Sequence, residues 1–250
     1  MQSEALGRAM PYMVYLPPGY DSLAGERFPV LYLLHGLGGS YTDWKSYGLL
    51  SEADRMIASG QITPLIIVMP QGDNGYWIDQ ADNGPKYGTY VARDLVREID
   101  GSFRTLSDFS DRAIGGVSMG AHGALQLALN FPGSFSVVGA HSLVLRRYDQ
   151  AFSFFGDKNY FSQHDPVSIV STKPERARQI RLWIDIGQED SWAPQTEAFN
   201  QELTAERIPH DWLELPGGHE ASYWRAHVGD YLRFYSDALA HLPESTDPGG

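Results

Sequence analysis

The stretch Ile114-Gly115-Gly116-Val117-Ser118-Met119-Gly120-Ala121-His122-Gly123-Ala124-Leu125 sets a serine between glycines two positions to either side, Gly116 and Gly120. This is the pattern of a serine held on a sharp strand-to-helix turn, with its hydroxyl exposed above a sheet. Such a turn forces unusual backbone angles and brings strand and helix so close that the flanking positions need glycine. The neighbouring residues supply both halves. Arg112-Ala113-Ile114 reads as the end of a buried strand, and Ala121 to Leu129, rich in Ala and Leu, as a helix ending near Phe131-Pro132-Gly133.

The rest of the chain continues the alternation. Leu6 to Leu16 is strand-like and is broken by Pro17-Pro18-Gly19-Tyr20-Asp21; Phe28 to Leu34 is a continuous apolar run of the kind found in a strand covered on both faces. Leu49 to Ser59 reads as a helix, Leu65 to Met69 as a buried strand closed by Pro70, and the segment from there to about Tyr87 as a Gly/Asn/Asp-rich loop. Val91, Leu95, Ile99 and Phe103 recur every four residues, which predicts an amphipathic helix over Tyr90 to Phe103. Beyond the central helix, strands are expected at Phe135 to Ala140, Ile180 to Ile186 and Asp211 to Leu215, with helices at Glu197 to Glu206 and Tyr223 to Leu242. Asp165-Pro166 reads as a helix cap followed by a first-turn proline. Leu143 to Phe161, the least regular stretch, is read as a packed connection in preference to a cap over a site. Pro243 to Gly250 is expected to be a frayed tail. Strands alternating with helices imply a mostly parallel sheet covered on both sides, in one α/β domain spanning 1–250.

Composition excludes several function classes. With 31 acidic against 19 basic residues, the net charge of -12 argues against nucleic acid or an anionic membrane as partner. No apolar run is long enough to span a bilayer and no signal peptide is evident, so a soluble protein is expected, cytoplasmic or secreted with its signal removed. The chain contains no cysteine, which removes a thiol nucleophile, a disulfide framework and a thiolate metal site. No cofactor or metal site is expected, and oligomeric state is not legible.

Parallel sheets carry their chemistry at the carboxyl ends of the strands, so partners for Ser118 are sought in the loops that follow strands. A neutral hydroxyl needs a base within hydrogen-bond reach, and histidine suits the role. Of eight histidines, His219 lies in the glycine-flanked segment Pro216-Gly217-Gly218-His219, between the last strand and the last helix. His141, at the end of a strand, is the rival; His122 falls on the elbow helix and His35 is read as orienting its glycine loop. The third member is a carboxylate that fixes the imidazole tautomer. Asp190, just past a strand, is preferred to Asp185 inside that strand and to Glu189. For the tetrahedral oxyanion, the backbone N–H of Met119 and, from His35-Gly36-Leu37-Gly38-Gly39, that of Leu37 are the expected donors.

Taken together, the His35 to Gly39 and Gly116 to Gly120 motifs, the Gly187 to Trp192 segment and Gly217-Gly218-His219-Glu220 with Trp224 resemble the esterase D/feruloyl esterase-like branch of the α/β-hydrolase superfamily. The similarity spans nearly the whole chain. It implies an α/β-hydrolase fold with Ser118 as nucleophile, Asp190 as acid, His219 as base, and Leu37 and Met119 as oxyanion donors. Glu220 departs from the aspartate that relatives often carry there. The expected activity is that of a cofactor-independent serine carboxylesterase acting on small-molecule or carbohydrate-linked esters, feruloyl, acetyl or short-chain acyl. The alternatives are an acyltransferase using the same acyl-enzyme and a non-catalytic binding protein of the same fold. Trp44, Tyr76, Trp77, Trp192 and Trp224 are the aromatic candidates for substrate contact, and no Arg or Lys clamp is apparent at the motifs.

Overall fold

The computed structural model describes residues 1–22 and 24–240. The expected tail at 243–250 and the last two residues of the predicted C-terminal helix lie outside them. A seven-stranded sheet is built from β1 (Tyr12–Tyr15), β2 (Val30–Leu34), β3 (Ile66–Pro70), β4 (Arg112–Val117), β5 (Val137–His141), β6 (Arg181–Gly187) and β7 (His210–Leu215), in the spatial order β1-β3-β2-β4-β5-β6-β7. Only β1 runs antiparallel, pairing Tyr12 with Pro70 and Tyr15 with Ile67; all other pairs are parallel. A mostly parallel sheet with one antiparallel edge strand is the α/β arrangement that the sequence predicts.

Among the described residues seven helices frame the sheet: α1 (Leu49–Ala58), α2 (Val96–Ser102), α3 (Met119–Asn130), α4 (Lys158–His164), α5 (Pro166–Thr172), α6 (Ala193–Ala205) and α7 (Ala221–Ala240), with shorter helical turns between them. Because side chains alternate across a strand, each central strand feeds two cores. Val30, Tyr32 and Leu34 of β2 pack with Ile114, Val138, Leu125 and Phe199 on one face. Leu31 and Leu33 pack with Ala53 and Met56 of α1 and Val228, Leu232 and Tyr235 of α7 on the other. That two-sided burial explains why these strands are uninterrupted apolar runs.

Two expectations are revised. The predicted regular helix over Tyr90 to Phe103 is instead a wide π-type turn at Tyr90–Leu95 leading into α2. The wider turn lets Tyr90, Val91, Ala92, Asp94 and Leu95 all be buried, and Asp94 accepts hydrogen bonds from Ser3 Oγ (2.7 Å) and Ala5 N–H (2.8 Å) of the N-terminal segment. The run Leu6 to Leu16 divides into part of a short hairpin, Gln2–Ser3 with Arg8–Ala9, and β1. Asp165 caps α5 as its sequence suggests, accepting from Ser168 N–H at 3.0 Å.

Close approaches hold the active edge together. A Cβ on Gly116 would meet the Gly120 backbone at 2.5–2.8 Å, and one on Gly120 would overlap the carbonyls of Leu34 and His35. These glycines let β4 and α3 come within van der Waals contact of each other and of the end of β2. Gly139 in β5 meets the Tyr235 hydroxyl of α7 in the same way. Gly139→Ala is therefore expected to lower stability by about 1–3 kcal/mol through overpacking, read as a drop in the denaturation midpoint at unchanged m-value.

Candidate active site

Ser118 caps the N-terminus of α3 with φ 59° and ψ -117°. For a non-glycine residue this is strained backbone, sustained by the close packing around it. Ser118 N–H donates to the His141 carbonyl at 3.0 Å, which ties the elbow to the end of β5. Ser118 as a whole is buried, with 9% of its surface exposed.

Three side chains from three loops meet here. Nε2 of His219 lies 2.8 Å from Ser118 Oγ, and Nδ1 of the same ring lies 2.7 Å from Asp190 Oδ2. Since an ionised carboxylate only accepts, Nδ1–H donates to Asp190 and Nε2 presents its lone pair to the serine hydroxyl. The other Asp190 oxygen accepts Trp192 N–H at 2.9 Å, so both oxygens are held while the residue is only 4% exposed. Gly187 and Gly217 allow the two loops to meet: a Cβ on Gly187 would overlap the Gly217 carbonyl, and Glu189 N–H donates to that carbonyl at 2.9 Å.

The rival residues pair with one another instead. His141 Nδ1 lies 2.5 Å from Asp185 Oδ1, both fully buried, and His141 Nε2 accepts from Tyr235 Oη at 2.8 Å. Asp185 also accepts from Trp183 Nε1 (2.9 Å), Tyr223 Oη (2.9 Å) and Tyr231 Oη (3.1 Å). Burial and the nearby Asp185 charge push the Tyr231 hydroxyl well above its ordinary pKa, so it remains a donor. This network lies beneath the triad and joins β5, β6 and α7; it does not reach Ser118 Oγ.

The glycine loop after β2 lies against the nucleophile, with a Cβ position at Gly36 only 3.4 Å from Ser118 Cβ. His35 fixes the loop's direction. Gly72 N–H donates to Nε2 at 3.0 Å, which leaves Nδ1–H to donate to Gly36 O at 2.8 Å. Burial lowers the His35 pKa and keeps the ring neutral, as that arrangement requires. Asn74 Oδ1 accepts Gly38 N–H at 2.7 Å, and Gly39 N–H donates to Gly36 O at 3.1 Å. Among the described residues, the amides of Leu37 and Met119 donate to no protein acceptor. Met119 N–H is the first of α3, where helix geometry leaves amides without a partner.

The aromatic expectations divide. Trp44, Tyr76 and Trp77 are each 1% exposed or less, and this corrects their reading as substrate contacts. Trp44 donates Nε1–H to Leu34 O at 3.1 Å and packs edge-on to His141 and Tyr231. Trp77 fills the space above Gly72 and Gly123 and donates to His35 O at 3.3 Å. Tyr76 packs against His122 and Phe155 with ring centroids 5.4 and 5.5 Å apart. The remaining two stay at the site's border. Trp192 is half-buried beside Asp190, and Trp224, also half-buried, sets its ring edge-on to His219 at 5.5 Å and donates to Ser142 Oγ at 2.9 Å.

The sequence reading missed Arg146, whose guanidinium carbon lies 4.9 Å from the Phe152 ring, 5.2 Å from Trp192 and 5.8 Å from Tyr76. No local motif marks it, because its neighbours come from three separate segments. The segment Leu143 to Phe161 buries Phe155 and Phe161 but leaves Tyr148 and Phe152 exposed, so it is a packed connection with an outward aromatic edge.

His122, one turn along α3 from Ser118, is buried, with its pKa pushed down to about 4 chiefly by desolvation. Because the unfolded chain takes up this proton near pH 6.5 and the folded chain only near 4, stability is lost as pH falls between those values. The loss reaches about 3 kcal/mol below the folded pKa. Thermal denaturation from pH 7 to 4.5 should show a weaker acid dependence for His122→Leu than for the parent chain.

Comparison with known proteins agrees with this picture. The family profile described as putative esterase matches residues 3–235. An esterase of Mycobacterium tuberculosis is 30% identical over 256 residues, covering 87% of this chain and 54% of the relative, so the chain spans about half that protein's length. An acetyl esterase of Caldicellulosiruptor saccharolyticus is 24% identical, covering 84% of each chain. A solved ferulic acid esterase superposes with a TM-score of 0.86 at 25% identity, covering 95% of this chain and 96% of the other. With a family match that runs from the first turn of the chain into its last helix, the protein belongs to the putative esterase family within the α/β-hydrolase superfamily.

Proposed function

We propose that this chain is a serine carboxylesterase in which Ser118 is the nucleophile, His219 the base and Asp190 the orienting acid. The observation that carries the reading is the continuous path Ser118 Oγ to His219 Nε2 (2.8 Å) and His219 Nδ1 to Asp190 (2.7 Å), at a strained elbow beside two unpaired amides. His219 removes the serine proton as Oγ attacks the ester carbonyl. The amides of Leu37 and Met119 receive the oxyanion. The alcohol then leaves with the proton from His219, and a water deprotonated by the same ring attacks the acyl-enzyme and releases the acid and Ser118.

The substrate class follows from the family: carboxylic esters of modest size, with feruloyl and acetyl groups the first to test, since its relatives include a ferulic acid esterase and an acetyl esterase. No helix among the described residues is long and apolar enough to cross a membrane. An acyl-group panel measures the reading: kcat/KM for acetyl, butyryl, longer acyl and feruloyl esters, each with and without an added acceptor alcohol. Hydrolysis as the main product supports an esterase. Transfer to the alcohol far beyond its share of nucleophile concentration would mark an acyltransferase, and no turnover of any ester would reject both.

A further inference from the structure

We propose that Arg146, held in place by the buried Tyr76 and walled by Phe152 and Trp192, forms a subsite for a carboxylate that the ester carries away from its scissile bond; this rests on the esterase reading above. Arg146 Nε–H donates to Tyr76 Oη at 2.8 Å. That bond fixes the side chain, and the terminal nitrogens of Arg146 remain donors with no acceptor among the described residues. Among the described residues no carboxylate lies within ion-pair distance of Arg146, although acidic residues outnumber basic ones 31 to 19 in the chain and the adjacent, exposed Arg147 is paired with Asp149. A half-buried guanidinium is costly to leave uncompensated, so an unpaired one bordered by rings is arranged for something outside the chain.

Position favours the substrate as that partner. Trp192, one wall of the clamp, is bonded through its backbone to Asp190, and Tyr76, another, packs on His122 one turn from Ser118. His122 Nδ1 contacts Val144 O at 3.3 Å, only two residues before Arg146. Trp192 thus sets one wall of the clamp on the loop that carries Asp190, while Arg146 and Tyr76 come from the segments that follow β5 and β3. Phe152, 37% exposed, and half-buried Trp192 supply apolar walls that exclude water and strengthen a charge-assisted hydrogen bond. A neighbouring cleft of about 250 Å³ that Arg146 also borders carries Asp165 and Glu202, so the carboxylate is assigned to the aromatic side.

The test compares p-nitrophenyl hydrogen adipate, with its carboxylate on the acyl chain, against its methyl ester, and 4-carboxyphenyl butyrate, with its carboxylate on the leaving group, against its methyl ester. In one of the two pairs the ratio of kcat/KM, charged over neutral, should fall about 10- to 100-fold in Arg146→Gln, mainly through KM, with Arg146→Lys intermediate. The pair that responds tells whether the carboxylate belongs to the acid or the alcohol. As a check independent of any variant, adipate should inhibit the wild-type protein more strongly than its uncharged diamide, adipamide, does, and less so at high salt. Ratios unchanged in Arg146→Gln, or equal inhibition by adipate and adipamide, would overturn the subsite while leaving the esterase reading intact. No turnover of the methyl esters would reject that reading and this inference with it.

Discussion

Ser118→Ala is expected to lower kcat on a short p-nitrophenyl ester by about 10⁴- to 10⁶-fold while leaving the fold intact. The side chain makes one hydrogen bond, to His219 Nε2, and His219 is itself 25% exposed, so removing the hydroxyl leaves a lone pair that water can reach. The backbone strain at φ 59° is the same for alanine as for serine. A thermal midpoint near that of the parent chain, with activity lost, separates a missing nucleophile from a damaged elbow. Activity within tenfold of the parent would mean that another group attacks the ester.

Asp190→Asn should cost about 10³- to 10⁴-fold in kcat, for a different reason. Asparagine at this position presents its NH₂ to His219 Nδ1, which then accepts and moves the ring proton to Nε2. In that tautomer the ring faces Ser118 with a proton and cannot take another. The hydrogen bond from Trp192 N–H to the remaining oxygen can persist, so the fold should tolerate the change. Asp185→Asn provides the contrast. Its carboxylate receives four donors in full burial, from His141, Trp183, Tyr223 and Tyr231. Unfolding by denaturant should show a loss of about 1–3 kcal/mol there, since an amide accepts at one atom only and leaves buried donors without an acceptor. Measured side by side, kcat and stability should move in opposite residues of the two aspartates.

What could be read from the chain follows from where the information is stored. Ser118, Asp190 and His219 sit in short loops flanked by glycines, at the carboxyl ends of strands whose unbroken apolar runs reveal two-sided burial. Such features are local in sequence, and the order of the strands then brings the loops to one edge. The glycine loop at 35–39 was legible for the same reason, including the orienting role of His35, which the structure displays as two hydrogen bonds.

The failures are tertiary. Trp44, Tyr76 and Trp77 lie in loops beside the site, but their depth depends on what fills the space behind them, Gly123 of α3 for Trp77 and the Leu34 carbonyl for Trp44. Proximity in sequence to a site-bordering loop carries no information about which way a ring turns. Arg146 was overlooked for the converse reason. Its environment is assembled from Tyr76, Phe152 and Trp192, which no spacing rule connects. The helix over Tyr90 to Phe103 has the right apolar period, yet its first part is a π-type turn in which Asp94 is buried against Ser3, a long-range contact with no trace in the periodicity.

Mapping of a fluorophosphonate adduct by peptide mass spectrometry tests the account most directly, because it reports which oxygen is activated and does not depend on guessing the substrate. The expected result is a single adduct on Ser118 in the wild-type protein, forming far more slowly in His219→Ala. An adduct on another residue, or labelling of Ser118 at the same rate without His219, would contradict it.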